Sequence, residues 1–145
     1  MMEFLLYLTP INYEVYQLIS KKINVVENGS ICRQHDIFGW YNSKSKTMNI
    51  CTDKIKSVSM DIHSTINETL LHESVHFAQS CKNSFGNILE FGIPISKMPI
   101  SKDKELEINQ LVSKYGKEYR HFEHEAYWME DKEEKVTYVL KKYCF

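Results

Sequence analysis

The feature that most constrains this chain is an unbroken stretch, residues 66–82, with His72-Glu73-Ser74-Val75-His76 at its centre. No proline or glycine interrupts it. Leu70, Leu71, Val75, Phe77 and Ala78 interleave with polar residues at helical spacing. Thr65 with Glu68 three residues later reads as a capping box, which would start the helix about two turns before His72. Two histidines four apart leave a helix from the same face. Both imidazoles can then reach one metal ion, at about 2.0–2.1 Å for zinc. The glutamate beside the first histidine would lie next to the metal's open position, where it can take a proton from water. The spacing therefore predicts a metal-binding helix with His72 and His76 as ligands of one zinc ion and Glu73 as the catalytic base.

With six histidines among 145 residues, such a pentapeptide arises by chance in roughly a few per cent of chains. The helical context is what gives it weight. His35, His63, His121 and His124 read as surface or packing residues, although the last two fall in a segment crowded with acids and histidines.

The length fits one domain, residues 1–145, with room for a sizeable core. A net charge of −1 and only two arginines, Arg33 and Arg120, argue against nucleic acid or an anionic membrane as partner. The apolar run at residues 4–8 is too short to span a bilayer and lacks the features of a signal peptide. A cytoplasmic protein is expected, in host cytoplasm if the source is viral. The abundance of Lys, Ile, Asn and Tyr matches an AT-rich bacterial or phage genome. Cys32, Cys51, Cys81 and Cys144 show no C-x-x-C spacing and are expected as free, partly buried thiols in a reducing compartment.

Along the chain, Pro10 fits the first turn of a helix reaching about residue 22, with Val15, Leu18, Ile19 and Ile23 as its apolar stripe. Asn28-Gly29 signals a turn. Residues 36–41 and 47–52 read as two strands joined by a hairpin loop, with Ile37, Trp40, Met48 and Ile50 as the buried face. Gly39 inside the first strand marks a bulge or the close approach of another backbone, the bulge being preferred. After the motif helix, residues 91–99 carry Gly92, Pro94 and Pro99 and should lack regular structure. Helices are expected over 102–115, with Ser101 as N-cap, and over 117–130 and 132–143, the last two separate or continuous. The fold class is α+β: a small hairpin or sheet, then a mainly helical C-terminal half.

Two histidines do not complete a catalytic zinc site, which takes three protein ligands and water. Candidates crowd into residues 120–128, where His121, Glu123, His124 and Glu125 lie on one predicted helix. Glu123 and Glu125 are two apart and do not share a helix face, so only one of them can be a direct ligand.

With His72-Glu73-x-x-His76 and Glu123-His-Glu-Ala126, the chain resembles the gluzincin metallopeptidases, and in particular small phage-associated and bacterial zincin-like domains related to ImmA/IrrE-type peptidases. The resemblance spans about residues 36–130. It implies a minimal zincin-like fold and a third ligand from the later helix. The glutamate directly before alanine is the usual ligand position, which assigns Glu125 ahead of Glu123. It also implies hydrolysis of a peptide or protein substrate, with the hairpin around Trp40 and Tyr41 as substrate wall. Tyr119, His121, His124 and Tyr127 are candidates to stabilise the oxyanion. The competing expectations are a zinc-binding regulatory domain without catalysis and a metal-free helical interaction module. Oligomeric state and substrate identity are not encoded in any motif.

Overall fold

The computed structural model describes all 145 residues. Its centre is the motif helix, α4 (Ile62–Lys82). The helix starts one turn earlier than the Thr65 capping box would place it, because the Asp61 side chain accepts from the Ser64 N–H at 3.1 Å. From Leu70 to Cys81 every residue except His72 is buried, so this helix runs through the protein rather than across its surface. Burial of Leu70, Leu71, Val75 and Phe77 contributes roughly 1.5–3 kcal/mol each to holding it there.

On one side of α4 lies a three-stranded sheet of order β1-β3-β2, formed by β1 (Asn24–Glu27), β2 (Gly39–Asn42) and β3 (Thr47–Ile50). The β2–β3 hairpin is antiparallel, as expected, with Tyr41 opposite Met48. β1 adds in parallel to β3 and was not expected. Tyr41, Met48 and Ile50 are buried, whereas Trp40 is half-exposed. The buried phase of β2 is thus one residue later than the sequence reading. Pairing runs without interruption through Gly39 opposite Ile50, so no bulge occurs. A Cβ at Gly39 would stand 2.6 Å from Thr69 Cγ2 and 3.0 Å from Glu73 Cγ. The glycine lets β2 lie directly on the motif helix.

The N-terminal segment forms a 3₁₀ turn (Glu3–Tyr7) whose free N–H groups at Glu3 and Phe4 donate to the Glu27 carboxylate at 2.8 and 2.7 Å. Thr9 caps α1 (Pro10–Ile19), which buries Val15 and Ile19. Two short helices unforeseen in the sequence, α2 (Ile31–Gln34) and α3 (Thr52–Val58), flank the hairpin. Beyond residues 83–101 come α5 (Lys102–Tyr115), capped by Ser101 and ended at Gly116 with φ 121°, then α6 (Tyr119–Met129) and α7 (Glu133–Tyr143). α6 and α7 are separate helices, and both pack on α4. The α+β class holds, with a small early sheet and a mainly helical C-terminal half.

The cysteines depart from expectation. Cys32 is bonded to Cys51 and Cys81 to Cys144, and none is free. The first bond ties α2 to the end of β3, the second the end of α4 to the residue after α7. Partners 19 and 63 residues apart are invisible to a search for short cysteine spacings. No helix is long and apolar enough to cross a membrane.

Candidate metal centre

His72 and His76, one turn apart on α4, project toward α6 with ring centroids 4.9 Å apart in an edge-on arrangement. Their Nε2 atoms face a single carboxylate oxygen, Glu123 Oε1, at 3.0 and 3.2 Å. Glu123, not Glu125, is therefore the acid that the fold brings to the histidines. Residues two apart are turned roughly 200° around a helix, so α6 sends these two glutamates in opposite directions.

Glu125 is fully buried on the far face of α6, where it organises the loop after α4. It accepts from the backbone N–H groups of Phe91, Gly92 and Ile93 at 2.8, 3.0 and 3.1 Å, and from Gln79 Nε2 at 2.9 Å. His121 and His124 serve the same loop through contacts of 2.7 Å to the carbonyls of Ile93 and Met98. Neither approaches the histidine pair, and Tyr119 packs on Tyr115 and Phe122. Of the four oxyanion candidates only Tyr127 reaches the site, its ring edge-on to His72 at 4.6 Å. Burial, with the Glu107 carboxylate beside it, pushes the Tyr127 hydroxyl above its ordinary pKa.

The other nitrogen of each imidazole is also held. His72 Nδ1 lies 2.8 Å from Glu130 Oε1, and His76 Nδ1 lies 2.8 Å from Gln79 Oε1. The Gln79 amide is oriented by its donation to Phe122 O and Glu125 Oε1. Its oxygen therefore faces His76, and His76 Nδ1 carries the proton. Acceptors on Nδ1 in this way fix the tautomer that turns a bare Nε2 toward a metal. Glu130 and Gln79 were missed in the sequence. Glu130 had a signal: Glu123, Tyr127 and Glu130 recur at the spacing of one helix face.

With acceptors on both sides, each imidazole must either carry two protons or share its Nε2 with a cation. Burial alone would lower the His72 pKa, but its hydrogen bonds to Glu123 and Glu130 carry it well above the ordinary value. His76 is raised too, against burial, chiefly by the charge of Glu123. Burial would raise Glu123, yet the His76 charge and the bonds to both imidazoles hold it far below the usual carboxylate range. Two imidazolium rings with the Glu123 and Glu130 carboxylates make one buried charge cluster, which is costly to desolvate. The donor set suits zinc: the three ligand atoms lie within 4.8 Å of one another. Tetrahedral ligands at about 2.0–2.1 Å from zinc stand about 3.3 Å apart, close to the 3.0 and 3.2 Å found here.

Glu73 takes part in none of these hydrogen bonds. It is buried under β2 beside Gly39, and that burial raises its pKa, with His72 and His76 opposing. The arrangement thus offers a three-residue metal cradle, two supports behind it and a carboxyl group with no partner to release.

No curated protein and no solved structure matches this chain. A family defined only as a domain of unknown function, DUF8637, matches residues 4–145. That match takes in the whole α+β unit and every residue of the histidine–glutamate site, and the chain belongs to the DUF8637 family.

Proposed function

We propose that this chain is a zinc-dependent peptidase in which His72, His76 and Glu123 hold the metal and Glu73 is the general base. The observation that carries this reading is the convergence of both Nε2 atoms on Glu123 Oε1 while Glu73, on the same helix, remains without a hydrogen-bonding partner. When bound, zinc supplies the Lewis acidity that makes water nucleophilic near neutral pH. Glu73 takes the proton from the attacking water and passes it to the leaving amine. Glu130 and Gln79 keep the imidazoles in the required tautomer, and the Tyr127 ring packs edge-on against His72. β2 is an edge strand lying over Glu73. An extended peptide can add to its free edge through main-chain hydrogen bonds.

A second reading has its own support. His76, Glu123 and Glu73 are each at least nine-tenths buried, and closed coordination is the mark of structural zinc. The chain would then be a zinc-stabilised interaction domain without catalysis. The two disulfides favour an oxidising setting over a reducing cytoplasm.

The separating experiment incubates zinc-loaded wild type and Glu73→Gln with a mixed peptide library and reads new termini by mass spectrometry. The peptidase reading expects cleavage by wild type, and a loss of about 10²–10⁴-fold in Glu73→Gln at unchanged zinc content. Fully loaded wild type that cleaves nothing supports the closed site.

A further inference from the structure

Glu130, the partner of His72 Nδ1, stands at the C-cap of α6, in a turn that its own helix holds weakly. The residue that secures this turn comes from another element. Lys104 Nζ, on α5, donates to the Tyr127 carbonyl oxygen at 3.0 Å and forms an ion pair with Glu130 Oε2 at 3.4 Å. Glu130 Oε1 meanwhile faces His72 Nδ1 at 2.8 Å. The carboxylate thus joins a lysine on one side to an imidazole on the other. Glu130 is 7% exposed, and Lys104 is the one lysine or arginine paired with it. Burial spares this pair much of the screening that an exposed one suffers. Glu68, hydrogen-bonded to the same carboxylate, adds a second acid and no cation.

A second tie runs from the same side of α5 to the same imidazole. Glu107, one turn after Lys104, lies beside the Tyr127 hydroxyl, and the Tyr127 ring stands edge-on to His72 at 4.6 Å. The rest of α5 is lightly held. Of its 14 residues only Ile108 is buried, α6 is the helix it packs on, and a further side-chain tie is the 2.9 Å bond from Arg120 to Asn109. A helix with so little apolar contact opens locally at small cost. Its polar ties therefore decide how firmly it sits.

We propose that Lys104 is a positioning residue for the metal centre: acting through Glu130 it aims His72 at the metal, and so couples the docking of α5 to metal retention. This role rests on the metal-binding part of the peptidase reading, not on catalysis. Two simpler roles have different consequences. A lysine that only caps the last carbonyls of α6 contributes stability and leaves the metal alone. A lysine that acts only as a nearby positive charge opposes a bound cation, so its removal would tighten zinc binding. Positioning has the opposite sign.

The test measures zinc affinity of full-length wild type, Lys104→Met, Glu130→Ala and the double variant by chelator competition, with the Tm of each zinc-free protein recorded alongside. Lys104→Met should bind zinc about tenfold more weakly, the lower end of the loss that follows from disturbing the support of a metal ligand. In the Glu130→Ala background the same substitution should cause no further loss, because the carboxylate it acts through is gone. Hydrogen exchange of the α5 amides is a readout that wild type alone can give. Zinc should slow it by about the same tenfold in wild type, and not in Lys104→Met. Unchanged or tighter zinc binding by Lys104→Met overturns the proposal, whatever its Tm. An equal loss with and without Glu130, or wild-type α5 exchange indifferent to zinc, overturns it too. Wild type that takes up no zinc removes the metal reading and the proposal together; zinc-binding wild type indifferent to Lys104 removes the proposal alone.

Discussion

Replacing Glu125 by glutamine separates a residue that holds a loop from one that holds a metal. Each Glu125 oxygen accepts two hydrogen bonds, Oε1 from Gln79 Nε2 and the Phe91 N–H, Oε2 from the N–H groups of Gly92 and Ile93. Glutamine puts an NH₂ where one of these oxygens stood. Whichever way the amide turns, two donors then face a donor in a site with no solvent access. Orphaned buried donors cost about 1–3 kcal/mol each, which makes about 4 kcal/mol for the pair. A chain of this size loses about 2–4 °C of Tm per kcal/mol, so the midpoint should fall by about 12 °C. The assay is thermal unfolding by circular dichroism on zinc-loaded protein, with zinc content measured on the same samples. The account expects the lower Tm with zinc still bound. An unchanged Tm with zinc lost would make Glu125 the ligand and refute the assignment of the two glutamates.

Two further substitutions probe the surroundings. Gly39→Ala drives a methyl group to 2.6 Å from Thr69 Cγ2 and 3.0 Å from Glu73 Cγ. It should cost about 2 kcal/mol in urea unfolding through overpacking and reduce peptide cleavage by displacing Glu73, with zinc content unchanged; wild-type stability would show that β2 has room to move. Glu130→Ala removes the acceptor of His72 Nδ1 and should weaken zinc affinity by about 10–100-fold in a chelator competition. Wild-type affinity would mean that Glu130 does not orient the imidazole.

The long elements and the motif helix were legible because their signals are local. Periodicity without glycine or proline marked α4, and Ser101 and Gly116 marked the two ends of α5. The phase of β2 was misread because four residues give too few alternations to choose between Trp40 and Tyr41. β1 is equally short and exists through its parallel pairing with β3, a contact absent from its own sequence. The same limit explains the site. His72, Glu73 and His76 come from one helix and could be read together. The choice between Glu123 and Glu125 depended on which face α6 turns to α4, and family resemblance pointed to the wrong face for this chain's geometry. The repeat of Glu123, Tyr127 and Glu130 along one helix face carried the better clue. Disulfide partners are further still from local pattern, since Cys81 and Cys144 meet only once α7 has docked on α4.

Metal stoichiometry decides whether His72, His76 and Glu123 form one zinc site. Wild type, Glu73→Gln and Glu123→Ala would be equilibrated with limiting zinc, dialysed and analysed by inductively coupled plasma mass spectrometry, with folding checked by circular dichroism. The account predicts close to one zinc per chain in wild type and Glu73→Gln, and none retained in folded Glu123→Ala. Folded wild type without zinc, or Glu123→Ala that keeps a full equivalent, would contradict it.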